Sequence, residues 1–250
     1  IEPGREENAM SATAEKTVRE LALENTSATR VFEKLGIDYC CGGNKSLEES
    51  CRASNLPIDQ VIDSLEMAEE AAQATQKDRN WPIEPLADLI AHIKNTHHKY
   101  TCEEMARLVP LLDKVDSVHG KNHPELRQVR TSFQGLVQEL TTHMMKEERV
   151  LFPYIVRMEE AVVQKEPILP SPFGSVQNPV SMMEHEHDSA GNALRAMREA
   201  SCGYTVPDDA CISYQTLYKA LADFEADLHQ HIHLENNILF PRAIVMEETH

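Results

Sequence analysis

The sequence predicts an all-α chain: a small helical domain followed by a four-helix bundle. Three observations carry that prediction. From about residue 83 onward, apolar residues recur at three- and four-residue steps through four long segments, with no alternating strand pattern. The stretch "HMMKEERVLFP" at 143–153 returns as "HIHLENNILFP" at 231–241. Before residue 83 the helical segments are short, and the polar run "ATQKDRNWP" separates them from the rest.

Taken in order, the opening "IEPGREENAM" has no hydrophobic pattern and reads as a leader or disordered tail over 1–10. Short helices come next: "TVRELALE", then "SATRVFEKLG" with Ser27 as N-cap and Gly36 as C-cap, then "SLEESCRA", then "IDQVIDSLEMAEEAAQ" after Pro57. These make a domain over 11–75, joined by a linker at 76–82 to a second domain over 83–250. A polar linker of this kind permits the two domains to move relative to one another.

The first long helix is expected from Leu86 to Leu112 behind Pro85, with Leu86, Ile90 and Ile93 on one face. The second runs from Pro124 into the 150s, with Phe133, Leu136, Leu140, His143, Glu147 and Leu151 in one stripe. The third, Pro179 to Ala200, carries Val180, Met183, His187, Ala190, Leu194 and Met197. The fourth, Asp208 to the mid 240s, carries Leu217, Leu221, Phe224, Leu228, His231, Glu235 and Ile238. Four amphipathic helices with such connections form a four-helix bundle.

The repeat extends further than eleven residues. Setting 143–160 against 231–248 matches His143 with His231, Glu147 with Glu235, the Leu-Phe-Pro triplets, and the two "MEE" runs. Upstream, His98 lies 45 residues before His143, and His187 lies 44 before His231. Each half is therefore one histidine-bearing helix followed by a helix with His-x-x-x-Glu.

Residues at i and i+4 share a helix face. These histidines and glutamates share theirs with Leu and Phe. Burying an ionised carboxylate without a partner costs several kcal/mol, and the stripes offer no Lys or Arg. Four imidazoles and two carboxylates are a ligand count for two transition-metal ions, with His98, His143, His187 and His231 terminal and Glu147 and Glu235 bridging. A structural zinc site needs only four ligands and favours cysteine, so iron is the expected metal. In the first helix the upstream stripe points to His97, the downstream residues Cys102, Met105, Val109 and Leu112 to His98, and the 45-residue spacing to His98. Glu139 and Asp227 lie one turn before His143 and His231 and are candidates for carboxylates that orient imidazoles or relay protons. His185, His229 and His233 flank site histidines at two residues' distance, so they are expected on the surface or around the site.

Composition excludes several classes. At 41% apolar and 26% charged the chain reads as globular; no stretch reaches the roughly 20 apolar residues of a membrane helix, and no secretory signal is visible, so a cytoplasmic protein is expected. A formal charge of -17 argues against nucleic acid and anionic membranes as partners. Six cysteines, two of them adjacent, do not make a disulfide framework.

The motifs "DYCCGG" (38–43), "HHKY" (97–100), "HMMKEERVLFP", "MMEHEHDSAG" (182–191) and "HIHLENNILFPRA" (231–243) resemble the iron-sulfur cluster repair di-iron proteins, the RIC or ScdA family. The resemblance implies an ScdA-type N-terminal domain with a vicinal cysteine pair and a hemerythrin-like bundle. That bundle would hold two non-haem iron ions, oxo- and carboxylate-bridged, on His98, His143, Glu147, His187, His231 and Glu235. It further implies repair of clusters damaged by nitric oxide or peroxide, with damaged iron-sulfur proteins and small oxidants as partners. Separately, a homodimer is a candidate assembly, which the sequence does not decide against a monomer. Oxygen-carrying hemerythrins use five histidines and a His-x-x-x-x-Asp; here the residue four after His187 is Gly191 and the last motif is His-x-x-x-Glu. One histidine fewer leaves room for exchangeable ligands.

Cys40 and Cys41 are the second candidate chemistry: redox or iron transfer, with Gly42 and Gly43 giving a partner close access to the backbone. Cys51 is placed to join them, whereas Cys102, Cys202 and Cys211 read as structural. Two other functions compete with repair: nitric oxide reduction at the metal site, and oxygen or iron sensing.

Overall fold

A computed structural model describes residues 13–40, 42–73 and 80–250, with side chains of Thr26 and of 70–73 excepted. The expected leader, Cys41 and linker residues 76–79 lie outside the described residues. Every regular element among those described is a helix. The chain divides into two compact units whose boundary in the sequence falls between Glu84 and Pro85.

The first unit contains α1 (Val18–Glu24), α2 (Thr26–Leu35), α3 (Leu47–Ala53) and α4 (Ile58–Gln73). Short helices are marginal by themselves, so their ends matter. Thr17 with Glu20 and Ser46 with Glu49 form capping boxes at α1 and α3, each satisfying two backbone donors at a helix start. Gly36 ends α2 in the left-handed region at φ 69°, as expected of a C-cap glycine. The N-cap of α2 is Asn25 and not Ser27: the Asn25 side chain accepts from the Ser27 N–H at 2.9 Å, so the helix begins two residues earlier than the sequence suggested. Val18, Leu21, Phe32, Ile37, Tyr39, Leu47, Cys51, Val61 and Ile62 pack into one core. The turn after Cys40 is bonded to the start of α1, where the Arg19 N–H donates to the Gly43 carbonyl at 2.8 Å.

The second unit is the bundle. Its first long helix comprises α5 (Leu86–Ile93), a π-turn (Lys94–His98) and α6 (Lys99–His119). The second comprises α7 (Glu125–Lys146), a π-turn (Glu147–Leu151) and α8 (Phe152–Gln164); the third is α9 (Gln177–Ala200). The fourth comprises α10 (Ile212–Leu234), a π-turn (Glu235–Leu239) and α11 (Phe240–Thr249). Helices one and two, two and three, three and four, and four and one are in contact, which closes the ring around a single core. The stripes expected on helices two, three and four are buried throughout.

The two "MEE" runs explain how the bundle helices start. Glu159 accepts the N–H groups of Leu86 and Ala87 at 2.6 and 2.8 Å, capping the first helix. Glu247, its counterpart in the repeat, accepts the Val176 N–H and the Ser175 hydroxyl at the start of the third. The first turn of a helix presents donors without intrahelical partners, and the carboxylate also complements the helix dipole. Two helices are thus capped by residues more than 70 positions away, which is why their starts carry no local cap signal.

Candidate metal centre

Each π-turn sits where a site residue is. The Lys99, Phe152 and Phe240 N–H groups donate five residues back, to the carbonyls of Lys94, Glu147 and Glu235. In the second and fourth helices the widened turn precedes Pro153 and Pro241. A proline inside a helix donates no hydrogen bond and crowds the carbonyl four residues back, and a π-turn relieves both. In the first helix the extra residue resolves the competition between His97 and His98. The stripe Leu86, Leu89, Ile90 and Ile93 leads to His97, while Thr101, Met105, Leu108, Leu112 and Val115 lead back to His98. Both stripes are buried, offset by one residue across the turn, so both histidines face inward. Of the expected downstream stripe, Met105 and Leu112 are buried, whereas Cys102 is exposed and Val109 only half-buried.

Six side chains meet in two groups that share their carboxylates: His98 and His231 with Glu147 and Glu235, and His143 and His187 with the same two glutamates. Within each group the candidate ligand atoms lie within 4.8 Å of one another. The Nε2 atoms of His98 and His231 are 3.2 Å apart, those of His143 and His187 3.0 Å. Glu147 turns Oε2 to His98 at 3.4 Å and Oε1 to His143 at 3.3 Å. Glu235 turns Oε1 to His231 at 3.0 Å and Oε2 to His187 at 3.1 Å. Each carboxylate therefore gives one oxygen to each group.

Both glutamates are fully buried, and none of their four oxygens has a hydrogen-bond partner among the described residues. Such orphaned acceptors are costly, and nitrogen and oxygen donors converging on two points suit metal cations. Aromatic rings hold the imidazoles: Phe152 stacks on His98 with centroids 5.7 Å apart, and Phe240, its counterpart, on His187 at 6.0 Å. The repeated Leu-Phe-Pro thus has a part for its phenylalanine and its proline.

Outer carboxylates fix two of the rings. His98 Nδ1 lies 2.8 Å from Glu148, and His143 Nδ1 lies 2.9 Å from Glu186, which also pairs with Lys146. A carboxylate there draws the ring proton to Nδ1 and leaves the Nε2 lone pair directed inward, as a metal ligand requires. Burial opposes charge on His98 and His143, but the facing glutamates outweigh it. His98 titrates above the usual histidine range, and His143 is pushed up to about 9. Burial prevails at His231, which is lowered. Burial also disfavours charge on Glu147 and Glu235, yet the imidazoles hold both below the ordinary carboxylate range, Glu235 well below.

Other expected residues lie elsewhere. Glu139 is exposed and accepts from the Ser189 hydroxyl at 3.0 Å, not from a site imidazole. Asp227 does hold a histidine, but it is His97, at 3.0 Å, whose ring stacks on His231 at 5.9 Å. Of the histidines expected on the surface or around the site, His233 is buried and His185 is exposed. Glu148 and Glu186 were missed because each is the immediate neighbour of a site residue, about 100° around the helix from the stripe that reveals the site. Cys40 is buried, with its N–H and thiol directed at the Asp38 carboxylate at 3.2 and 3.5 Å. A Cβ on Gly43 would lie 2.7 Å from the Tyr39 carbonyl, so the tight turn itself requires glycine there. Cys51 belongs to the core of the first unit. Cys102, Cys202 and Cys211, read as structural from the sequence, are exposed.

Similarity to known proteins runs the length of the described chain. The model of the hemerythrin HHE cation binding domain matches residues 88–243, and that of ScdA_N, a domain of unknown function, matches 14–69. An iron-sulfur cluster repair protein YtfE from Pectobacterium carotovorum is 36% identical over 93% of this chain and 98% of its own length. One of the same name from Musicola paradisiaca is 34% identical over 92% and 96%. A probable iron-sulfur cluster repair protein of Haemophilus influenzae is 33% identical over 92% and 97%. The chain therefore belongs to the family of iron-sulfur cluster repair proteins, with an ScdA_N domain followed by a hemerythrin HHE domain.

Proposed function

We propose that the chain repairs iron-sulfur clusters damaged by nitric oxide or other oxidants, and that its bundle holds two non-haem iron ions. His98 and His231 would hold one ion, His143 and His187 the other, with Glu147 and Glu235 bridging. The observation that carries this reading is the division of each buried carboxylate between two histidine pairs, one oxygen to each. The iron pair supplies redox chemistry, positions for small exchangeable ligands and releasable metal. The chain's own part is to exclude water around the six side chains, to keep Nε2 lone pairs inward through Glu148 and Glu186, and to pin two rings under Phe152 and Phe240. Damaged iron-sulfur proteins are the proposed partners, and the domain limits 11–75 and 83–250 with a linker between belong to the same proposal.

The test is anaerobic incubation of iron-loaded protein with an enzyme whose cluster has been destroyed, following labelled iron and recovered activity together. Recovery that depends on Glu147 and Glu235 is expected. No recovery above that given by free iron overturns the reading. Cys40 and Cys41 are proposed to pass electrons or iron to the client. Replacing both by Ser is expected to leave iron content unchanged and to abolish repair; full repair by the folded double variant removes them from the mechanism. A ligand set of only four histidines and two glutamates also favours a second activity, reduction of nitric oxide, which the same iron-loaded preparation would show as direct consumption of the gas.

A further inference from the structure

Outside the metal centre, a group of chemistry-bearing side chains gathers where the loop before α10 meets the end of α6. His119 Nε2 lies 3.2 Å from Cys211 Sγ. Cys211 is exposed and occupies the N-cap of α10, a helix of 23 residues. Next to this pair, His123 is held on both ring nitrogens, by Asp209 at 2.8 Å and by Glu125 at 3.1 Å. Asp209 is two residues before Cys211, so this pairing fastens the loop that carries the thiol. The His119 and His123 rings both pack on Tyr214, with centroids 5.3 and 5.5 Å away. None of these residues belongs to either metal-ligand group.

We propose that Cys211 and His119 form a nucleophile and base pair that reacts with small-molecule disulfides, making Cys211 a site of reversible mixed-disulfide formation. The geometry is that of an activated thiol: a base within hydrogen-bond reach, fixed by packing against Tyr214, and an exposed sulfur open to a small reagent. The setting also favours the thiolate, since the nearby Tyr214 backbone N–H and the His119 ring lower the Cys211 pKa. In the reaction the Cys211 proton passes to His119 Nε2 and the thiolate attacks one sulfur of the disulfide. A new bond from Sγ to that sulfur forms as the original S–S bond breaks. The departing sulfur leaves as thiolate and takes the proton from His119. Cys211 is oxidised and the reagent reduced in a two-electron exchange, with release of a small thiol.

Cys102 and Cys202, also exposed, serve as comparators within the same molecule. The fully reduced, full-length protein is exposed at pH 7 to limiting bis(2-hydroxyethyl) disulfide, a neutral probe, and adducts at each cysteine are counted by mass spectrometry over time. Cys211 is expected to react at least about three-fold faster than either comparator, a figure that allows for the weaker nucleophilicity of a more acidic thiol. His119→Gln is expected to bring the Cys211 rate down to theirs while their own rates stay unchanged. Equal rates at the three cysteines of the unaltered protein, a measurement that needs no variant to fold, overturn the proposal. So does a Cys211 rate that His119→Gln leaves unaltered when the Cys102 and Cys202 rates report an intact fold.

Discussion

The two halves of the bundle are copies of one plan, and they agree in some parts and part company in others. His98, His143, Glu147, Phe152, Pro153 and Glu159 in the first half correspond to His187, His231, Glu235, Phe240, Pro241 and Glu247 in the second. These residues give the inward donors, a stacked phenylalanine, a π-turn before proline, and a cap on the preceding helix in each half. The halves differ in what steadies the histidine of each His-x-x-x-Glu. His143 is held by Glu186, the residue before His187. The corresponding residue before His98 is His97, which stacks on His231 and is itself tied to Asp227. His231 Nδ1 is buried without a hydrogen-bond partner among the described residues. One terminal imidazole is thus electrostatically anchored and its counterpart is positioned by packing. The two ends of a site built from identical ligands are chemically unequal: the facing Glu147 outweighs burial and raises His143, whereas burial prevails and lowers His231.

The largest expected effect tests what the halves share. Glu147→Ala and Glu235→Ala should each remove more than half the bound metal, because either carboxylate serves both histidine pairs. Metal analysis of anaerobically loaded protein decides it, and loss of one ion with full retention of the other would break the equivalence. A smaller effect tests the difference. Glu186→Gln should weaken metal binding about ten- to a hundred-fold, as loss of a carboxylate behind a ligating imidazole does. His97→Asn should leave the stoichiometry unchanged, since it is absent from both ligand groups. Competition with a chelator measures both, and a greater loss from His97→Asn would reverse the assignment of the anchored end. Smallest, Glu159→Gln and Glu247→Gln should each lower stability by about 0.5–2 kcal/mol, the usual range for a helix cap. Similar shifts in denaturant midpoint are expected for the two; a large effect from one alone would show that the halves carry unequal loads.

The periodicity of apolar residues was enough to locate the four bundle helices and the full inward stripes of three of them, because a core-facing stripe repeats with the helix itself. The repeat paired the halves and singled out the six converging side chains. Helix starts were legible for the first and second, at Leu86 and Pro124, and less so for the third and fourth. The sequence placed that of the fourth helix at Asp208, whereas Asp208 and Asp209 lie in a turn and the helix begins at Ile212. The first and third start where a glutamate from another helix reaches them, and the local sequence contains no trace of that contact.

By itself the sequence determined the features that local chemistry sets: amphipathic helices, an acidic surface, and histidines and glutamates at spacings that share a face. The tertiary structure decided where those faces meet. It put a π-turn at Lys94–His98, so that two neighbouring histidines both turn inward, one to the ligand group and one to stack on His231. It set Glu148 and Glu186 behind imidazoles on other helices and sent Glu139 to solvent, although Glu139 lies one turn from His143. It brought Cys211 to His119, 92 residues earlier in the chain. The reason is the same in each case: a helix pattern tells which direction a side chain leaves its own axis, while its partner depends on the packing of a second helix that the pattern does not encode.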